Sequence, residues 1–317
     1  MAQISIGTLT DLEKSEYVKE GLKFAEYNLI YRQFGQKEDV KERAGKTRQW
    51  FRFSVPAVTS GSDFSGAATY VSNTTGATPQ FTPATPSTTT VTATADYLFG
   101  KGHEWTGSAE YSSFADIKSE LRRVNAEHAG RAIDTEVRGT VIAGTTVGYA
   151  NGKASRGLLS SADTIDMNDI FDSVTTLRNN SARPIKGMFR ALHSHNVTAQ
   201  LMKDAAFQAA IANQKDYIFK GTIAELYGVG FVGTENAPTV SNSGTNNTVS
   251  TVEQTLIVGE GAYGVTYWGM NDYDLIYTAP GGWGDEWKSR HALTWKYSGK
   301  AVILNQSWML RLESARA

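Results

Sequence analysis

Apolar residues fall at helical spacing in some stretches and at strand spacing in others, without a regular strand-helix rhythm. Tyr17, Val18, Leu22, Ala25, Leu29 and Ile30 recur every three or four positions and predict a helix over about 11–34. Residues 48–53 alternate long polar with aromatic side chains, the period of a strand. Phe114, Ile117, Leu121, Val124 and His128 step by three and four, and Ile133 and Val137 continue the face. These predict one long helix, opened by Ser113 with Asp116 three residues on and closed at Gly139 or Gly144. About 26 residues at ~1.5 Å each make a strut of about 40 Å. A second amphipathic helix carries Met167, Ile170, Phe171, Val174 and Leu177 on one face, with Asp166 as N-cap.

From Gly187 to Pro238 the elements are short and mixed. Met188 to Leu192 reads as a strand, Asn196 to Lys203 and Ala205 to Asn213 as helices. Ile223 to Tyr227 reads as a helical turn, and Val229 to Val232 as a strand ending at Thr234-Glu235. Thr255 to Val258 and Ala262 to Trp268 are strand-like, and residues 271–312 alternate as strands around a tight turn at Pro280-Gly281-Gly282. Residues 144–162 and 239–251 read as loops. No internal repeat is evident, and the class is α+β.

One stretch departs from ordinary composition. Between Ser54 and Ala95 the only charged side chain is Asp63, and Thr, Ser, Ala, Gly and Pro dominate. A disordered segment usually relies on charge for solubility. The β-formers here, Tyr70-Val71 and Thr89 to Thr92, favour a long β-hairpin with a flexible tip and hydroxyls laid against another chain. The plainer reading is a Ser/Thr-rich linker.

Candidate chemistry is thin. With 317 residues, 40% hydrophobic and 20% charged, the chain can bury a sizeable core. It has no cysteine, which excludes disulfides, thiol nucleophiles and Cys-ligated zinc or iron–sulfur groups. The net charge of -1 and the absence of a basic run argue against a sequence-specific DNA binder. The first residues lack the basic start and apolar core of a signal peptide, and no apolar run approaches the ~20 residues of a membrane span. Gly228-Val229-Gly230-Phe231-Val232-Gly233 fits G-x-G-x-x-G, but Pro238 sits where the phosphate-binding helix would run, so the glycines read as room for a bent strand. His193 and His195 could share a strand face as a metal pair, yet no neighbouring acid completes a set. His103, His128 and His291 form no pattern, and no G-x-S-x-G elbow occurs. The expectation is a non-enzyme, with no catalytic, cofactor-binding or metal residues and no cofactor.

The order of elements from Gly187 to Pro238 resembles the central part of tailed-bacteriophage major capsid proteins, in the fold first described in phage Hong Kong 97. The ending from Gly284 to Glu313, with Trp295-Lys296 and Ile303-Leu304-Asn305, is similar to that family's last strands. With the long helix, the resemblance spans roughly Trp50 to Glu313. It implies a Hong Kong 97-like fold with an N-terminal arm (1–47), an extended β-hairpin loop (48–107), a peripheral domain with the spine helix (108–145), an axial domain (146–262) and a return to the peripheral domain (263–317). It further implies self-assembly as hexamers and pentamers into the icosahedral shell that encloses a double-stranded DNA genome, in the virion, after assembly in the bacterial cytoplasm. Expected partners are further copies, a portal, a separate scaffolding protein (the first 47 residues leave little room for a built-in one), a decoration protein and non-specific packaged DNA, with no membrane. Some members join subunits through a lysine in the extended loop and a neighbour's asparagine. Ser54 to Ala95 holds no lysine, so no such crosslinks are expected.

Aromatic residues dominate interface hot spots. Trp50, Phe51 and Phe53 at the loop base, and Trp283 and Trp287 near the second turn, are therefore candidate interface anchors, and the plainer reading of each is an ordinary core aromatic. Two other classes remain open from sequence. One is another virion component, such as a tail or decoration protein. The other is an α+β enzyme, which no acid, base or metal constellation supports.

Overall fold

A computed structural model describes residues 29–40, 47–53, 88–94, 99–113, 116–211, 225–242, 249–268, 274–281, 285 and 287–316. Of the expected helix over 11–34, the described part is α1 (Ile30–Gln33), followed by a strand the pattern did not reveal, β1 (Gln36–Val40). The expected strand at 48–53 is β2 (Thr47–Phe53), paired with β3 (Thr88–Thr94); the hairpin tip lies outside the described residues. Residues 48–92 form a compact unit of their own.

β4 (Phe99–Thr106) leads into a short helix, α2 (Gly107–Ser112), and then into the long helix, α3 (Ile117–Ile142). At 26 residues α3 has the expected length. Its cap differs. Asp116 is itself the N-cap and accepts from the Lys118 and Ser119 N–H groups, while Ser113 closes α2. The buried stripe differs too. It runs through Asn125, Ala126, Ala129, Gly130, Ile133, Asp134, Val137 and Val141, and Val124 faces out. Small residues at the contact let α3 approach its sheets closely, and a reading built on large apolar side chains overlooks that stripe.

Beyond α3 the loop-like stretch contains β5 (Val147–Tyr149) and two 3₁₀ turns. α4 (Met167–Asn179) opens with a full capping box in which the Asp166 and Asp169 carboxylates accept from each other's N–H. Ile170, Val174 and Leu177 are buried as expected, whereas Phe171 is not. Then come β6 (Phe189–His193), α5 (His195–Lys203, capped by Ser194) and α6 (Ala205–Ile211). Where a helical turn was expected at Ile223 to Tyr227, Glu225 and Leu226 are instead β7, joined by a two-residue turn to β8 (Val229–Gly233). Seven more strands follow among the described residues: β9 (Thr239–Ser241), β10 (Thr251–Val258), β11 (Tyr263–Trp268), β12 (Asp274–Thr278), β13 (Arg290–Tyr297), β14 (Gly299–Ile303) and β15 (Met309–Ala315).

Seven strands make the main sheet in the order β5-β15-β10-β6-β8-β7, with β9 also on β10. It is mixed: β6 runs parallel to β8 and β5 to β15, while β10 is antiparallel to both β6 and β15. The sheet draws on the segment expected to be axial and, through β15, on the segment expected to return to the periphery. α4, α5 and α6 cover it, with Ile170, Leu177, Leu201 and Phe207 against Phe189, Ile257 and Leu312. Each large side chain buried there contributes about 1.5–3 kcal/mol. A second core forms where Ala126, Ala129 and Ile133 of α3 meet Trp105, Leu293, Trp295 and Tyr297 on the β12-β13-β4 sheet. A third forms where Val137 and Val141 meet Tyr31, Tyr263, Val265 and Ala301 by the β1-β11-β14 sheet. One helix thus serves two cores, as a strut does.

Candidate interface surfaces

Packing accounts for the glycine motif and for His193. Gly228 lies in the turn before β8 at φ +76°, and Gly230 lies inside β8, where a Cβ would come within 2.6 Å of Arg190 Nη1 and 2.7 Å of Met188 Sδ. A strand occupies the place a phosphate-binding helix would need. His193 ends β6 and is buried, with Nδ1 2.8 Å from the Ser194 carbonyl oxygen and 3.3 Å from Thr198 Oγ1. Burial lowers its pKa, so the ring stays neutral. His195 opens α5 and is exposed. Among the described residues no group of three or more His, Asp or Glu side chains is placed to hold a metal ion. No helix among them is long and apolar enough to cross a membrane.

His291, without a pattern in sequence, joins a row of rings. It stacks on Trp105 at 5.3 Å with an interplanar angle of 8°, and its Nδ1 lies 2.8 Å from the Tyr277 hydroxyl. Trp105 Nε1 donates to Glu110, which pairs with Lys118 at 2.8 Å. The row spans all three strands of the β12-β13-β4 sheet and ties α2 and α3 to it.

The main sheet is locked by a buried charge. Glu313 on β15 accepts two bonds from Arg156, at 2.6 and 2.7 Å, and one from Gln254 at 2.9 Å. Arg311 lies 2.9 Å away. Burial alone would raise the Glu313 pKa, but these partners hold it below the usual carboxylate value.

The expected interface aromatics divide by strand periodicity. Along β2, Phe51 and Phe53 share one side and are 63% and 67% exposed, while Trp50 on the other side is buried. Trp287 is 91% exposed beside the second turn, whose Asp285 carboxylate accepts from the Ser289, Arg290 and Gly281 N–H groups. Trp283 lies outside the described residues. Sequence reasoning missed two exposed aromatic features. Tyr111 on α2 is almost wholly exposed. Phe171 and Tyr227 meet edge to face at 5.5 Å, and both are open to solvent. Phe171 falls on the rim of the apolar stripe of α4, a signal that could have marked it. Nothing in the local pattern marks Tyr227.

The sequence matches no protein-family profile and no curated protein. The fold does match solved structures. The capsid of Ralstonia phage GP4 superposes at a TM-score of 0.64 with 13% identity, covering 90% of this chain and 87% of that one. The capsid of cyanophage P-SCSP1u gives 0.62 at 13% identity, with 91% and 89% covered. A virus-like particle from Pyrococcus furiosus gives 0.53 at 12% identity, with 95% and 99% covered. The chain therefore has the phage-capsid, Hong Kong 97-like α+β fold that the sequence led us to expect.

Proposed function

We propose that this protein is the major capsid protein of a tailed phage, one subunit of a closed shell around a double-stranded DNA genome. The observation that carries the reading is reciprocal coverage. About nine-tenths of this chain and of each matched phage capsid chain are covered, so the match is not confined to one embedded domain. The function is then assembly. Identical chains meet through heterologous contacts that close into rings, and each chain touches several neighbours through contacts individually weak enough to reverse. Standard interfaces bury ~800 Å² per partner.

Phe51 and Phe53 support this reading because the chain leaves two aromatic rings of one strand face in water, and such rings gain most when a partner covers them. Trp287 serves the same end at the second turn. Trp283 belongs with it as an anchor, and Trp50 supports β2 from its buried side. The segment boundaries given above, hexamers and pentamers, a portal, a separate scaffold, a decoration protein, non-specific contact with DNA, assembly in the bacterial cytoplasm and the absence of catalysis complete the proposal. A tail or decoration role finds no support in capsid chains matched over about nine-tenths of their length. The Pyrococcus match favours one variant, a virus-like shell of the same subunit.

Expression of the full chain, with size-exclusion chromatography and negative-stain microscopy, tests the reading. Rings, sheets or closed shells are expected. A monodisperse monomer under all assembly conditions sinks it. DNA enclosed in particles from infected cells separates a capsid from an empty compartment.

A further inference from the structure

Helix α4 presents two different flanks. At 100° per residue, Phe171, Thr175 and Arg178 fall on one side and Asp169, Asp172, Ser173 and Thr176 on the other, with the core residues Ile170, Val174 and Leu177 between them. The first flank ends in a knob. Phe171 is 53% exposed and packs against Tyr227, itself 44% exposed, at the tip of the β7–β8 turn. The second flank walls a cleft of about 330 Å³ floored by Leu310 and Leu312 of β15 and edged by Val147 and Tyr149 of β5. β7 and β5 are the two opposite ends of the main sheet.

The knob has a backbone signature. Tyr227 and Gly228 are the two residues between the paired Leu226 and Val229, at φ +52° and +76°. Such a turn favours Asn or Gly at its first position, because a side chain bearing a ring is strained there. Here the strained residue aims an aromatic ring outward, and strain of this kind clusters where function holds it.

The cleft carries Asp169 and Asp172 and also Lys153, whose charge is paired with Asp163 at 3.6 Å. Arg178 reaches over the turn, its Nη2 3.4 Å from where a Cβ on Gly228 would stand. Neither Arg178 on the knob flank nor Asp172 in the cleft makes an ion pair among the described residues, and both are exposed.

We infer that the knob of one copy seats in the α4–β5 cleft of the next, with Arg178 facing the neighbour's Asp172. A projecting apolar feature and a pocket on different flanks of one helix are two different surfaces, so their meeting between copies is a heterologous contact, which closes into a ring when the rotation allows. The cleft volume lies at the small end of ligand pockets, ~300–1,000 Å³, which leaves room for one aromatic side chain. This inference rests on the shell reading and names the contact that would link neighbours within a ring.

Charge reversal tests it. Arg178→Asp and Asp172→Arg are each expected to reduce particle yield by about tenfold or more, since like charges then face each other, and the double variant is expected to recover most of the loss. Thermal melts of the unassembled chains, unchanged across the set, show that folding is intact. Because the chain has no cysteine, Tyr227→Cys combined with Thr176→Cys adds a second readout. Oxidised rings should run as a ladder on non-reducing denaturing gels. If wild type assembles and the single reversals assemble equally well, or the double variant does not recover, or no ladder forms, the contact is wrong while the shell reading stands. If wild type never assembles, the shell reading falls and takes this contact with it.

Discussion

The carboxylate of Asp134, midway along α3, accepts a hydrogen bond from the backbone N–H of Tyr31, 2.7 Å away. The N-cap position of α1 is Leu29, whose side chain cannot cap. A residue over a hundred positions later therefore supplies the acceptor that the first turn lacks. The Tyr263 hydroxyl donates to the carbonyl of Tyr31, so this residue is held at both backbone groups. Asn236 donates to the other Asp134 oxygen at 3.2 Å, and Arg138 donates to the Asn236 carbonyl at 2.7 Å. Asp134 thus ties the start of the body, the strut and the end of β8 together. Asp134→Ala should destabilise the chain by about 1–3 kcal/mol, because it strands buried donors, and urea unfolding would measure it.

The same residue gives a pH dependence. Burial pushes the Asp134 pKa up to about 6, against the bonds that favour its charge. The folded state then holds this proton more tightly than the unfolded chain does. Stability contributed by the group falls as pH rises from about 4 to about 6, by up to about 3 kcal/mol, and is flat above. Asp169, raised to about 6 by burial and by Asp166, acts in the same direction. The thermal midpoint should be higher at pH 5 than at pH 7, and Asp134→Asn should remove part of that difference. Glu313, Asp163 and Glu110, whose pKa values are lowered, act in a separate window: their contribution is lost only as pH falls below about 4.

Arg156→Ala leaves the buried Glu313 with Arg311 and Gln254 as partners. Removing one side of a buried ion pair costs about 3–5 kcal/mol, and the remaining partners place this case near the lower figure. The double change Arg156→Met with Glu313→Leu should recover only part of the loss, because Arg311 and Gln254 then lose the carboxylate as well. Chemical denaturation of the three chains decides it.

Tyr227→Gly relieves a positive φ that a ring-bearing residue tolerates poorly. The unassembled chain should gain on the order of 1 kcal/mol, while assembly weakens. Opposite signs in the two assays would mark strain kept for contact. A chain that becomes less stable and assembles normally would contradict it.

Phe51→Ser with Phe53→Ser should leave the melting temperature of the unassembled chain within about 1–2 °C, since neither ring is covered, and reduce shell yield strongly. Particles that do form should give a single monomer band on denaturing gels, because Ser54 to Ala95 offers no lysine for an isopeptide bond.

Local periodicity made the strut and α4 legible, down to the length of α3 and the Asp166 cap. It misjudged which faces are buried. Ala126, Ala129 and Gly130 carry little apolar weight, yet close approach depends on their smallness; Val124 and Phe171 carry much, and lie in water. The parallel pairings of β1 with β11 and of β6 with β8 join segments remote in sequence, and no local signal encodes them. The Tyr227 turn stayed hidden because its residue type is wrong for its backbone, which is the property that makes it informative. Period-two alternation separates Phe51 and Phe53 from Trp50 on β2, but it does not say which side is covered, so the sequence treats all three alike.

β15 is the last strand in chain order, yet it fills the slot between β5 and β10. A chain cut before Met309 would lack the one strand that pairs with both β10 and β5 among the described residues. Leu310 and Leu312 arrive with that strand, so a truncated polypeptide has no finished socket to offer. β5 and β10 are therefore joined by the sheet's latest strand, and the loss of that strand would open both together.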